Sequence, residues 1–194
     1  KLGDVYLKLA DPRAALGEYV RAADLLPGDI QAQLKAGRLL LAAGAFQDAK
    51  ARADKAIALD ARNSDSQILL GNALAGLKDF DGAISQYQEA LAIAPAGDVA
   101  YRNMGVVQMA RGELSAAEAT FRKALEVAPK SLQSHLALAN FLWAVARRDE
   151  AETTLKAALA LDPNDLTANR ALGMFYVSSG RIPDAEPYFK TIAM

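Results

Sequence analysis

Pro27, Pro95, Pro129 and Pro163 stand 34 residues or a multiple of 34 apart, and Ala61 takes the one vacant place in the series. A fixed period of this length means that a short supersecondary unit is stacked on itself, since such a unit cannot bury its apolar face alone. Other positions keep the period. Gly3, Gly37, Gly71, Gly105 and Gly173 form one column, with Ala139 in the gap. Ala15, Ala49, Ala83, Ala117, Ala151 and Ala185 form an unbroken second, and Ala22, Ala56, Ala90, Ala124 and Ala158 a third that ends in Ile192. Tyr19, Tyr87, Phe121 and Phe189 form an aromatic column, interrupted by Ala53 and Leu155. The columns run in phase along the whole chain and predict a repeat solenoid.

Within each period the local signals predict two helices. Asp29, Ser64, Asp98, Ser131 and Asp165 precede apolar-periodic stretches, where their side-chain oxygens can accept orphan backbone N–H groups. Gly44, Gly112 and Gly180 mark a turn in mid-period, where a left-handed conformation costs glycine little. The prolines close the second helix of each unit, because proline cannot extend it. Asp11-Pro12 reads as an N-cap followed by proline at the first helical position. Pro187 lies about a turn into the last helix, which is expected either to start late or to bend. The glycine and alanine columns mark places where two helices cross closely, with the aromatic column filling the adjacent gap.

These columns resemble the tetratricopeptide repeat family, whose pattern is W-x2-L-G-x2-Y, then A-x3-F, then P. Leu2-Gly3-x2-Tyr6 and Leu172-Gly173-x2-Tyr176 reproduce one piece unaltered. Ala15/Tyr19, Ala83/Tyr87, Ala117/Phe121 and Ala185/Phe189 reproduce another. The tryptophan position is degenerate, being occupied by Gln33, Gln67, Tyr101, His135 and Asn169. The resemblance implies an all-α fold, a right-handed α-solenoid of antiparallel helix pairs with about six repeats, the first and last truncated. Complete repeats are expected at 30–63, 64–97, 98–131 and 132–165, with partial ones at 1–29 and 166–194. They make a single array over 1–194. No polar capping helix is visible, so the array is expected to be an excerpt of a longer protein.

Composition narrows the function. The chain has 194 residues and 52% hydrophobic content, enough for a continuous core. Its net charge of −1 gives no bulk attraction to nucleic acid or acidic membranes, so no nucleic-acid partner is expected. The columns also resemble tetratricopeptide rather than pentatricopeptide repeats, the RNA readers. The absence of cysteine excludes disulfides and thiolate metal sites, and leaves cytoplasm and periplasm both open. No apolar run reaches the length of a membrane helix, so direct insertion is not expected. The alanine-rich, regular composition reads as bacterial. His135, the single histidine, is expected to pack between helices, with no second His or Cys to complete a metal site. No phosphate loop, H-E-x-x-H or G-x-S-x-G pattern is present. The reading is therefore a non-enzyme without cofactor. Arg147-Arg148-Asp149-Glu150 reads as a solvated turn whose acidic end favours the following helix N-terminus.

In the resembling family the first helices of successive repeats line a concave surface. Helical spacing puts i, i+3, i+4 and i+7 on one face. Carried over, the resemblance nominates Lys35, Arg38, Asn72, Arg102, Asn103, Val106, Met109, Asn140, Trp143 and Arg170 as a peptide-binding groove. Asn can bond both C=O and N–H of an extended main chain, Arg can fork onto a carboxylate, and Trp and Met can fill side-chain pockets. For Trp143 packing is favoured over ligand contact. The carboxylate clamp of chaperone-binding members is incomplete: Asn72 and Asn103 match it, but Ile68, Gln133 and Ala137 take the cationic positions. The asparagine ladder of O-GlcNAc transferase arrays is only partly present. The expected function is a scaffold binding a protein or peptide ligand, as an extended peptide or a partner helix. The alternatives are self-association through uncapped ends, or a substrate-recruiting arm of a larger enzyme or of a secretion or polysaccharide-export protein.

Overall fold

A computed structural model describes residues 2–193. Lys1 and Met194, the outermost residues of the two expected partial repeats, lie outside the described residues, as does the Leu2 side chain of the first Leu-Gly-x2-Tyr piece. The described residues form twelve α-helices and no strand. In chain order they are α1 (Leu2–Lys8), α2 (Pro12–Leu25), α3 (Ile30–Ala42), α4 (Phe46–Leu59), α5 (Ser64–Gly76) and α6 (Phe80–Ile93). There follow α7 (Asp98–Ala110), α8 (Leu114–Val127), α9 (Leu132–Ala144), α10 (Arg148–Leu161), α11 (Leu166–Ser178) and α12 (Ile182–Ala193). The odd-numbered helices open each repeat and the even-numbered helices close it.

The helix starts show why the period is kept. Asp29, Ser131 and Asp165 cap α3, α9 and α11 with their side chains, and Asp11 caps α2. Two expected caps are displaced by one residue. Asn63 rather than Ser64 caps α5, accepting from the Ser66 amide at 2.9 Å, and Ser64 is the first helical residue. Gly97 holds the cap position of α7 with no side-chain bond, and Asp98 sits in the first turn, where its charge favours the helix dipole. The caps thus fall on 29, 63, 97, 131 and 165, 34 apart throughout.

The prolines act as expected. Pro27, Pro95, Pro129 and Pro163 each lie two residues beyond the end of α2, α6, α8 and α10. In mid-repeat, Gly44, Gly112 and Gly180 adopt φ of 74°, 78° and 74°. The same left-handed conformation falls on Ala10, Lys78 and Ala146, with φ of 55°, 65° and 62°. It serves one purpose. At Gly44 the amide returns to the Leu41 carbonyl and the next amide to Leu40, the paired bonds that satisfy a helix end. Lys78 and Asp79 repeat this on Ala75 and Leu74, and Ala146 and Arg147 on Trp143 and Leu142. Pro187 is accommodated inside α12, which begins at Ile182, so the late start is not what occurs.

The chain divides into two compact units, one up to Gly112 and one from Glu113 onward. In the first, α1 packs on α2, α3 on α4 and α5 on α6, with α2 on α3, α4 on α5 and α6 on α7 joining successive repeats. Leu34, Leu69, Tyr87 and the alanine columns fill its interior. A β-carbon at Gly71 would lie 2.6 Å from the Tyr87 ring, and one at Gly37 2.5 Å from a Leu69 methyl, so glycine is what lets these helices approach. The second unit pairs α9 with α10 and α11 with α12. Its core joins Phe121, Leu138, Phe141, Leu142, Leu155, Leu172, Phe175 and Tyr176. A β-carbon at Gly173 would meet the Phe189 ring at 2.9 Å, the Gly71–Tyr87 relation repeated.

Candidate functional site

The nominated residues all stand on first helices, and each unit holds its own set. In the first unit α3, α5 and α7 lie side by side. Lys35 and Arg38 are exposed on α3, and Arg38 reaches across to Asp65 of α5 at 2.8 Å. Asn72 on α5 and Asn103 on α7 are half-buried and joined: the Asn103 amide donates to the Asn72 side-chain oxygen at 2.8 Å. The same oxygen accepts from the Tyr87 hydroxyl at 2.9 Å. Burial pushes the Tyr87 phenol well above its ordinary pKa, so it remains a donor. Arg102 has its Nε 3.4 Å from the Asp98 carboxylate, one turn back on the same helix. Val106 and Met109 are exposed on α7.

In the second unit, Asn140 on α9 and Arg170 on α11 are exposed. Trp143 is half-buried and meets Phe175 edge-on, with ring centroids 5.6 Å apart, so its ring is committed to packing. Leu166, Met174 and Val177 are exposed on α11 around Arg170. An apolar depression of about 670 Å³ lies beside this helix, lined by Val177, Ile182, Pro183, Ala185 and Phe189, with Glu186 and Lys190 on it as well. It involves none of the nominated residues.

The degenerate tryptophan column has a role that sequence reasoning missed. Gln33 is buried and its amide donates to the Ala23 carbonyl, at the end of the preceding helix, at 2.8 Å. Gln67 reaches the Ala61 carbonyl at 3.3 Å, and Asn169 the Pro163 carbonyl at 2.9 Å. The Ala23 carbonyl is one that helix termination would leave orphaned, and the Ala61 and Pro163 carbonyls belong to the loops that follow α4 and α10. His135 is buried between helices, as expected, with Nδ1 donating to the Ser131 carbonyl at 3.0 Å. The signal available in sequence was the polar character of four of the five column members.

Charge pairs join repeats on the second helices. Arg147 and Arg181, 34 apart, reach Glu118 and Glu152, also 34 apart, each at 2.6 Å. Arg147 additionally holds Glu150 through two bonds of 2.6 Å, so the turn, exposed at Arg148, Asp149 and Glu150, carries an ion pair as well. Hydrogen bonding to Arg147 and Arg122 holds Glu118 below the usual carboxylate range. Glu152 is held down to about 2, first by Lys156 and then by Tyr176 and Arg181. Among the described residues no group of three or more His, Cys, Asp or Glu is placed to hold a metal ion. No helix among them is long and apolar enough to cross a membrane.

Helix hairpins at a constant spacing, closed by a left-handed residue and locked in several repeats by a glycine–aromatic contact, define an α-helical repeat protein. The chain belongs to the tetratricopeptide repeat family. The profile of the cilia and flagella-associated protein 70 middle TPR-like domain matches residues 72–192, and a tetratricopeptide repeat profile matches residues 34–98. Among solved structures, the chain is similar to TTC0263, a thermophilic TPR protein of Thermus thermophilus, with a TM-score of 0.81 and 24% identity over 91% of this chain and 96% of that one. MamA is similar with a TM-score of 0.63 and 23% identity, over 86% of this chain and 98% of that one. YrrB, described as a TPR protein with an unusual peptide-binding site, has a TM-score of 0.53 and 18% identity, over 90% of each chain. No curated protein matches the sequence. Family membership makes the chain a protein-interaction scaffold, of a class that binds protein or peptide partners and is generally non-catalytic.

Proposed function

We propose that the first-helix face of the first unit, formed by α3, α5 and α7, binds an extended peptide or a partner helix. The observation that carries this is the Asn72–Asn103 pair. Two half-buried amides are bonded to each other, with hydrogen-bonding capacity left over, beside exposed Val106 and Met109. Amides that bond in pairs next to apolar side chains suit a main chain with apolar residues at intervals. Lys35 and Arg38 would favour acidic side chains, and Arg102 adds a cation on α7. Asn140 and Arg170, with exposed Met174 and Val177, give α9 and α11 a similar mixture within the second unit, where Trp143 packs beneath. The peptide-binding site in the description of YrrB, which shares this fold, supports the reading.

The test is selection of a phage-displayed random dodecapeptide library on the wild-type chain. The enriched peptides are then titrated against an Arg102→Glu/Asn103→Ala variant whose melting is first shown to match wild type. Loss of binding by roughly tenfold or more supports the groove. Equal affinity moves binding to another surface.

A second reading, self-association, is favoured by the apolar depression beside α12. Phe189 is 38% exposed, whereas Tyr87 and Phe121 in the same column are 1% and 2% exposed. Sedimentation equilibrium across a hundredfold concentration range (roughly, to span micromolar association) tests it. A constant monomer mass would discard it.

A further inference from the structure

We propose that Tyr87, a buried residue of a second helix, is a positioning residue that, together with Asn103, holds the Asn72 amide in one orientation. The Asn72–Asn103 pair then offers a ligand one donor and one acceptor in a set order. This inference rests on the reading of the α3–α5–α7 face as a peptide site.

The argument begins with Gly71. Its missing β-carbon leaves space that the Tyr87 ring occupies, so the ring passes close under α5 and brings its hydroxyl to the next residue along, Asn72. The Asn72 side-chain oxygen then accepts two hydrogen bonds, one from Tyr87 and one from Asn103. An amide oxygen has two lone pairs, and both are used. The Asn72 NH2 is left without a protein partner among the described residues, and it can only donate. Asn103, having given an N–H to Asn72, keeps a carbonyl oxygen with no protein partner, which accepts. In this arrangement the pair is polarised: a ligand carbonyl is matched at Asn72 and a ligand N–H at Asn103, and because the phenol oxygen can also accept, reversing it requires both amides to turn together. An unrestrained asparagine would flip to suit either.

The repeats supply an internal comparison. The position of Tyr87 is taken by Phe121 and Phe189 in other repeats, and the position of Asn72 there is taken by Val106 and Met174. In these two repeats the hydroxyl and the amide are both missing. In the repeat with Leu155 at the aromatic position, Asn140 has no phenol from that position to orient it, and it is exposed.

Two measurements test the proposal. The first needs no ligand: side-chain NH2 resonances in asparagine-labelled protein, compared between wild type and Tyr87→Phe. A wild-type Asn72 NH2 whose rotation is slowed relative to Asn140, and freed in the variant, is expected. An Asn72 signal indifferent to the hydroxyl overturns the proposal whatever the chain binds. The second uses a peptide enriched from the dodecamer library on wild-type chain. Tyr87→Phe is expected to weaken it about tenfold in the wild-type background and not at all in an Asn72→Ala background. A merely structural effect of Tyr87 would persist in both backgrounds and would overturn the positioning role. If no peptide binding depends on Asn72 or Asn103 at all, the peptide reading itself fails, and the ligand preference assigned to the pair falls with it. The resonance comparison reports separately on the amide's orientation.

Discussion

A single dihedral angle is repeated six times among the described residues, and it is filled unequally. Ala10, Lys78 and Ala146 hold the left-handed turn that glycine holds at 44, 112 and 180. A side chain in that region costs about 1 kcal/mol or more, offset in part by the entropy glycine loses on folding. Lys78→Gly and Ala146→Gly are therefore expected to raise stability by roughly 0.5–1 kcal/mol each in urea unfolding, and Gly112→Ala to lower it by a similar amount. Equal midpoints for all three would remove the argument. Sequence reading found the turn only where glycine announced it. Lys78 and Ala146 carry no such mark, because the bonds that close the helix come from the backbone. The caps at Asn63 and Gly97 were hidden differently. Ser64 and Asp98 are good capping residues standing one place too late, and strict spacing from Asp29 would have separated the two cases. The candidate site was legible as a face, since helical spacing groups Asn72 with its neighbours. That Asn72 is bonded to Asn103 and Tyr87 was not, because it depends on how far a ring reaches under a neighbouring helix.

At the level of helix pairs, the hairpins are held by contacts that leave no room. Gly71→Leu and Ala117→Phe place a side chain where Tyr87 or the core around Phe121 already stands. Both are expected to destabilise by about 1–3 kcal/mol, read as a lower melting temperature with helix content preserved. Unchanged melting would mean the columns do not mark close packing. The α10–α11 contact adds a pH dependence. Glu152 has its carboxyl held at about 2, against an ordinary value of 4.5. A group lowered by folding contributes stability above its unfolded pKa and loses it as pH falls through the folded one. Thermal stability is therefore expected to decline between about pH 4.5 and pH 2, and Glu152→Gln to show a lower plateau with a shallower decline. A variant that follows the wild-type curve in parallel would assign the acid loss to other carboxylates.

Across the whole chain, charge is nearly balanced, with 22 basic and 23 acidic side chains, and much of it is spent on neighbours. Arg52 meets Asp24, Arg38 meets Asp65, Arg111 meets Asp81, Arg147 meets Glu118 and Arg181 meets Glu152, each joining consecutive repeats. Most of these pairs are open to solvent and are each worth about 0–1 kcal/mol. Raising salt from roughly 0.05 to 0.5 M, which shortens the screening length severalfold, is expected to lower the melting temperature slightly. A rise would show that repulsion dominates instead. The buried bonds from Gln33, Gln67 and Asn169 are of another kind. Each ends on a backbone carbonyl of the preceding repeat, which any residue supplies. If the hairpins were cut apart and shuffled, those bonds could re-form between neighbours, as could the Arg–Glu pairs that keep the 34-residue spacing, while Arg52–Asp24, Arg38–Asp65 and Arg111–Asp81 would mostly find the wrong charge or none. The core makes the hairpins interchangeable; their order is written on the outside.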